Sequence, residues 1–156
     1  MYKNILVPLD GSPTAELALE EAAVLARLSG ATLQLLHIVD AMEHITGFEP
    51  PAVHISDIRP RFMAAGQAVL DRAQARLQAQ GVAVAGTLLE SPGARVSELI
   101  AEQARRLGAD LIVMGTHGRR GVDRLLIGSD AEQTARIASV PVLLVRAREA
   151  APAARG

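Results

Sequence analysis

Residues 4–30, NILVPLDGSPTAELALEEAAVLARLSG, decide the fold class, because they predict a buried strand that a tight turn joins to an amphipathic helix. The run before Gly11 is almost wholly apolar, which is typical of a strand covered on both faces. Ser12 followed by Pro13 indicates a helix N-terminus, and Gly30 indicates its end. Between them, apolar residues recur at helical spacing: Ala15, Ala18, Leu19, Ala22 and Leu25.

The same alternation continues along the rest of the chain. Further strands are predicted at 31–40, 82–90, 109–115 and 140–146, and further helices end at 81, 108 and 138. Only residues 41–59 are predicted to be irregular, because Gly47, Pro50 and Pro51 interrupt any period. Strands that alternate with helices form parallel sheets with helices on both faces. We therefore predict one α/β domain over residues 1–146, an open doubly wound five-stranded parallel sheet, followed by a tail at 147–156 without regular structure.

The amino-acid composition narrows the class of protein further. The chain is 49% hydrophobic but only 2% aromatic, so its core must consist of Ala, Val, Leu and Ile. It has no cysteine, which excludes disulfides and thiolate metal sites. The formal net charge of −1 suggests no general affinity for nucleic acid or anionic membranes. No apolar run reaches the about 18 residues that span a bilayer, and the strand-like opening leaves no room for a signal peptide. We expect a cytoplasmic protein.

A glycine-rich stretch, MGTHGRRGVDRLLIGSD at residues 114–130, follows the fourth predicted strand. In open α/β sheets, ligands bind beyond the carboxyl ends of the strands, where the winding direction reverses. Gly128 and Ser129 open the next predicted helix, whose N-terminus favours anions. Gly115 and Gly118 would let the backbone approach the other side of a polyphosphate. The stretch thus indicates a phosphate site, although a plain turn after a strand uses glycine as well.

The spacing Gly-x2-Gly-x9-Gly-[Ser/Thr] resembles the ATP-binding signature of the universal stress protein family. Other segments agree in the same order: NILVPLDGSPTAELALEEA, LQLLHIV, GADLIVMGTHGRRG and SVPVLLVR. The resemblance spans about Tyr2 to Arg146. It implies a sheet of order 3-2-1-4-5, ATP or another adenine nucleotide as ligand, with or without Mg²⁺, and a role in adaptation to stress. It also implies a homodimer, which the apolar edge strand Val140–Val145 would form by pairing with its copy.

The resemblance carries a set of ligand-binding positions onto this chain. Pro8 and Asp10 would lie near the ribose, and Ile38 or Val39 against the adenine. The remaining positions would surround the sugar and the phosphates: Met114, Gly115, His117, Gly118, Arg119, Gly128 and Ser129. Asp130 departs from the family pattern, which has a small apolar residue there. Its carboxylate would compete with phosphate for the same N–H groups and helix dipole.

Other candidate residues point to no chemistry of their own. A lone Asp10 at a strand end contacts a ribose or caps a helix more often than it catalyses a reaction. His37 lies inside an apolar strand, which favours a hydrogen-bonded core histidine, and His44 and His54 suggest no metal site. No GxSxG or HExxH motif is present, and no aromatic platform accompanies Arg119, Arg120 and Arg124. We predict neither catalytic nor metal-binding residues.

Three functions are compatible with these features. The first is an ATP-binding regulatory homodimer whose nucleotide state biases an unidentified protein partner. The second is a slow nucleotide hydrolase that uses the same pocket with Mg²⁺. The third is an interaction module that has lost nucleotide binding, for which Asp130 is the only hint.

Overall fold

The computed structural model describes residues 1–40, 55–117 and 126–147, without the side chains of 55–57. Five strands alternate with four helices along the chain. The strands are β1 (Asn4–Pro8), β2 (Thr32–Val39), β3 (Val84–Glu90), β4 (Leu111–Gly115) and β5 (Val142–Val145). The helices are α1 (Pro13–Ser29), α2 (Ile55–Ala79), α3 (Val96–Arg106) and α4 (Ser129–Ile137).

All strand pairs are parallel, and the sheet order is β3-β2-β1-β4-β5. This confirms the predicted doubly wound sheet of order 3-2-1-4-5. The winding direction reverses between β1 and β4, so their carboxyl ends diverge into connections that leave in opposite directions. A crevice at that edge of the sheet follows from the topology.

Alternate residues of each strand enter two cores on opposite faces of the sheet. Ile5 and Val7 of β1 pack with α1 and α2, whereas Leu6 packs with α3. Apart from Met114, the buried apolar residues among those described are Ala, Val, Leu and Ile, as the composition predicts. Burial on both faces explains why the central strands β1 and β4 are continuous apolar runs rather than alternating ones.

Helix α1 begins and ends where its sequence indicates. The Ser12 hydroxyl accepts a hydrogen bond from the Ala15 N–H at 3.2 Å, and Pro13 occupies the first helical position, where an N–H would have no helical partner. Gly30 has φ 73°, a left-handed conformation that suits glycine, and its N–H bonds the Ala26 carbonyl. Local signals are therefore sufficient to define this helix.

Several element boundaries differ from those predicted, among them the starts of β3 at Val84 rather than 82 and of β4 at Leu111 rather than 109. Residues 55–59 were expected to be irregular, but α2 starts at Ile55 and contains Pro60, which lacks the N–H for one helical hydrogen bond. A bidentate ion pair between Arg59 and Glu90, both contacts 2.6 Å, ties this extension to the end of β3 and lowers the pKa of the Glu90 carboxyl. Strand β5 starts at Val142 rather than 140, after Pro141, which has no N–H for a ladder. Residues 41–54 lie outside the described residues.

Within the part of the chain that the structure describes, no helix has the length and apolar character needed to cross a bilayer. The predicted tail, apart from residue 147, also lies outside the described residues.

Two strand glycines provide a test of how the sheet packs. A Cβ at Gly115 would lie 2.7 Å from the backbone carbon of Thr14, whereas a Cβ at Gly86 would meet only the end of the Gln74 side chain, at 2.8 Å. We expect Gly115→Ala to lower the free energy of unfolding by about 1–3 kcal/mol, the usual cost of overpacking. Gly86→Ala, the matched control, should change it by less than about 1 kcal/mol because Gln74 can move. Chemical denaturation measures both, and equal effects would contradict this packing.

Candidate functional site

A cleft of about 640 Å³ opens at the carboxyl edge of the sheet, where β1, β2 and β4 end and α4 begins. The cleft includes the ends of β1 and β4, the two neighbouring strands between which the winding direction reverses. Clefts of this size and place hold small ligands in doubly wound α/β proteins. The cleft is therefore the candidate functional site.

Ten of the twelve predicted site residues line this cleft. They are Pro8, Asp10, Ile38, Val39, Met114, Gly115, His117, Gly128, Ser129 and Asp130. The other two, Gly118 and Arg119, lie outside the described residues. Positions separated by more than 100 residues in the sequence thus meet around one space, because parallel strands bring their carboxyl ends to the same edge of the sheet.

The first turn of α1 holds the segment that follows β4. The hydroxyls of Thr14 and Ser12 both donate to the His117 carbonyl, the latter at 3.5 Å. The Ser12 N–H in turn donates to the Asp10 carboxylate at 2.9 Å, so the turn after β1 is closed by its own aspartate. These bonds fix the two strand ends that border the cleft relative to each other.

Contacts within the protein already require two of the predicted glycines. Gly115 packs on the backbone of Thr14. Gly128 donates its N–H to the Thr116 carbonyl at 2.6 Å, and a Cβ there would lie 2.9 Å from that oxygen. The sequence pattern suggested that glycine at these positions makes room for phosphate. The structure shows that it makes room for neighbouring backbone.

Helix α4 presents its N-terminus to the cleft through Ser129 and Asp130. Gly128 caps the helix without a side-chain hydrogen bond, and two acidic residues, Asp130 and Glu132, occupy the first turn. Glu132 pairs with Arg136 at 2.7 Å, one turn further on. The positive end of the helix dipole is therefore partly compensated by carboxylates of the helix itself.

The described lining of the cleft is acidic. It includes the aspartates 10, 40 and 130 and the histidines 37 and 117, but no lysine or arginine among the residues that the structure describes. Among the same residues, no three His, Cys, Asp or Glu side chains are grouped to hold a metal ion. The described lining therefore offers no cationic side chain to an anionic ligand; residues 118–125, whose sequence contains three arginines, lie outside the described residues.

His37 is the hydrogen-bonded core histidine that its apolar strand predicts. It is 5% exposed, and its Nδ1 lies 2.7 Å from the Leu9 carbonyl oxygen. Because a carbonyl only accepts hydrogen bonds, Nδ1 carries the proton. The imidazole also packs on α2, where a Cβ at Gly66 would lie 2.7 Å from Cδ2.

Sequence reasoning missed the contribution of α2 to the cleft. Phe62, Ala65, Gly66 and Val69 line it from one side of the helix. Helical spacing places Phe62 and Val69 on one face, and no local signal separates the part of that face that borders a cleft. The signal that could have found these residues is that α2 follows β2, so the N-terminal half of the helix lies near the carboxyl edge of the sheet.

A sequence model of the universal stress protein family matches residues 1–146. Universal stress protein MJ0531 of Methanocaldococcus jannaschii is 33% identical over 146 residues, which are 94% of this chain and 83% of that protein. The crystal structure of a universal stress protein family member from Burkholderia pseudomallei shares 40% identity, with a TM-score of 0.76, over 94% of this chain and 97% of that one.

Two more distant structures share the fold and were solved with adenine nucleotides. One is a universal stress protein from Archaeoglobus fulgidus in complex with dAMP, with 23% identity, a TM-score of 0.60 and coverage of 93% of this chain and 98% of that one. The other is a universal stress protein in complex with cAMP, with 23% identity, a TM-score of 0.67 and coverage of 93% and 97%.

Two threonines beside the cleft differ in their hydrogen bonding. Thr14 donates to the His117 carbonyl, whereas the Thr116 hydroxyl is buried with no partner among the described residues. Thr14→Val should lower the free energy of unfolding by about 1 kcal/mol, because it removes a buried hydrogen bond. Thr116→Val should leave it unchanged or raise it, because it removes an unsatisfied hydroxyl and keeps the shape. Denaturant titrations compare the pair, and a larger loss for Thr116→Val would contradict this assignment.

Proposed function

Because the chain belongs to the universal stress protein family, we propose that it is a regulatory protein that binds an adenine nucleotide in the cleft at the carboxyl edge of its sheet. One observation carries the proposal: nine positions that a family resemblance assigned to the nucleotide line a single cleft. The complexes of two relatives with dAMP and cAMP support an adenine ligand.

The cleft suits the parts of a nucleotide unequally. The carboxylate of Asp10, fixed by the Ser12 N–H, is an acceptor for ribose hydroxyls. Ile38 and Val39, the positions expected against the adenine, offer apolar surface to a base. The phosphates meet the first turn of α4 with its carboxylate at Asp130. We therefore propose that the site accepts nucleotides with few phosphates readily and ATP best together with Mg²⁺.

The nucleotide proposal is tested on protein purified without added nucleotide. Mass spectrometry of the released ligand should identify an adenine compound, and calorimetry should then show saturable binding of AMP and ATP to the emptied protein. Turnover of labelled ATP would move the assignment to a hydrolase. Absence of binding, with the fold intact by circular dichroism, would leave an interaction module.

We further propose that β5 joins two copies of the chain. It lies at the edge of the sheet and pairs only with β4 among the described strands. Leu143 is 37% exposed and belongs to neither of the two cores. Val142 and Leu144, by contrast, pack on the core that contains Leu6 and residues of α3. An apolar edge strand favours pairing with another strand, and a twofold axis through the edge makes the two copies antiparallel.

Asp130 allows a direct test of charge in the cleft. At an effective dielectric of 20, two unit charges about 6 Å apart repel by roughly 3 kcal/mol. Solvent, Mg²⁺ and the partners of this exposed carboxylate reduce that value, and a remaining 1 kcal/mol or so changes Kd about fivefold. Asp130→Val should therefore tighten ATP binding several-fold, more without Mg²⁺ than with it, and AMP binding less. Calorimetry with both nucleotides measures this.

The matched control is Glu132→Val in the same helical turn, which does not line the cleft and should have a smaller effect. If Asp130→Val leaves ATP affinity unchanged or weakens it, the carboxylate does not oppose the phosphates.

Leu143→Asp should convert the dimer to monomer, because a twofold axis would bring two carboxylates together at the paired strands. Leu28→Asp, on the exposed surface of α1 with 77% of the residue exposed, is the control and should leave the dimer intact. Light scattering over a dilution series reports the mass. A monomer mass for the unmodified protein would refute the pairing of β5.

A further inference from the structure

The lining of the cleft divides into a polar and an apolar part. Polar groups of Asp10, Ser12, Thr116 and Ser129 lie at the ends of β1 and β4 and the start of α4. Apolar side chains line the cleft on both faces of the sheet: Val39, Phe62 and Val69 on the face of α2, and Ile38, Val96 and Ile100 on the face of α3. A ligand that contacts both the polar and the apolar part has a polar end and an apolar end.

Contacts of α2 define which of its residues are level with the end of β2. Arg59 pairs with Glu90, and Glu90 is the register partner of Val39. Gly66 contacts His37 and Leu88. These two residues are register partners of each other, and each lies two residues before the pair Val39 and Glu90 in its strand. Helix α2 therefore runs antiparallel to the strands.

Phe62 lies between these two contacts, one turn after Arg59 and one turn before Gly66. It is consequently level with the last residues of β2. Side chains alternate across a strand, so Val39 lies on the same face of the sheet as His37, the face that packs on α2. A ring that lies against Val39 at the end of β2 is within the part of the cleft that Phe62 lines.

Phe62 is also chemically distinct within this lining. It is half-buried, and among the described residues that line the cleft it is the only phenylalanine, tyrosine or tryptophan. The chain has two phenylalanines and one tyrosine in total. Its neighbour Met63 is half-buried too but does not line the cleft.

We propose that Phe62 is a ligand-binding residue that packs its ring on the planar base of the bound nucleotide. The proposal rests on the nucleotide-binding function given above and adds the side of the cleft that recognises the base. Base–aromatic stacking is independent of the phosphates, so Phe62 contributes equally to the binding of adenosine, AMP and ATP. It contributes nothing to the binding of ribose 5-phosphate, which lacks the base.

Calorimetry of Phe62→Ala tests the energetic part. Adenosine, AMP and ATP should each bind about 5- to 150-fold more weakly than to the unmodified protein, the range that alanine substitution of stacking residues produces. Phe62→Leu should lose less, since it keeps apolar area, and Met63→Ala should lose little. Thermal unfolding verifies that each variant is folded. Equal affinities for Phe62→Ala and the unmodified protein would overturn the proposal.

Fluorescence tests the contact itself. Because the chain has no tryptophan, Phe62→Trp places a single indole in the cleft, and Met63→Trp places one beside it as a control. AMP should quench the indole at 62 but not at 63, and ribose 5-phosphate should quench neither. Two results would overturn the proposal: AMP quenches both indoles to the same extent, or AMP binds and quenches neither indole. If the unmodified protein binds no adenine compound, both this proposal and the nucleotide function fail, whereas binding without any effect of position 62 refutes this proposal alone.

Discussion

The close approach of α1 to the end of β4 is the constraint on which the candidate site depends. Gly115 has no Cβ, so the backbone of Thr14 lies where a side chain would otherwise be. From that position the hydroxyls of Thr14 and Ser12 reach the carbonyl of His117. The turn after β1 and the segment after β4 are thereby joined across the point where the sheet reverses its winding. The cleft is the space left beyond this junction.

This junction also determines which groups remain for a ligand. The N–H of Gly128 and the carbonyl of His117 are used within the protein. Recognition then depends more on side chains, which are carboxylates near β1, β2 and α4 and apolar groups near α2 and α3. Such a lining offers acceptors to sugar hydroxyls and surface to a base, and it offers little positive charge from the described residues to phosphates. In the proposed nucleotide site, affinity for the base and selectivity by charge are therefore separate properties.

The strand and helix order was predictable because its signals are local. A run buried on both faces is apolar throughout, as in β1, and a serine–proline start and a glycine end bound α1. The early start of α2, by contrast, depends on a contact from outside the helix. The start of α2 at Ile55 is accompanied by the Arg59–Glu90 ion pair, whose partners are 31 residues apart. Local patterns carry no information about such a partner.

The sequence by itself determined the sheet order through family resemblance, the core composition, and the ten described positions that border the cleft. The glycine spacing can be recognised in the sequence, because the absence of a Cβ is a property of each residue alone. Only the tertiary structure decided what the missing Cβ serves: at Gly115 and Gly128 it admits neighbouring backbone. It also decided that Phe62, on a helix face shared with the core residues Leu70 and Leu77, borders the cleft. The physical reason is that helical spacing defines a face, while the part of that face that overhangs the sheet edge is set by packing between distant segments.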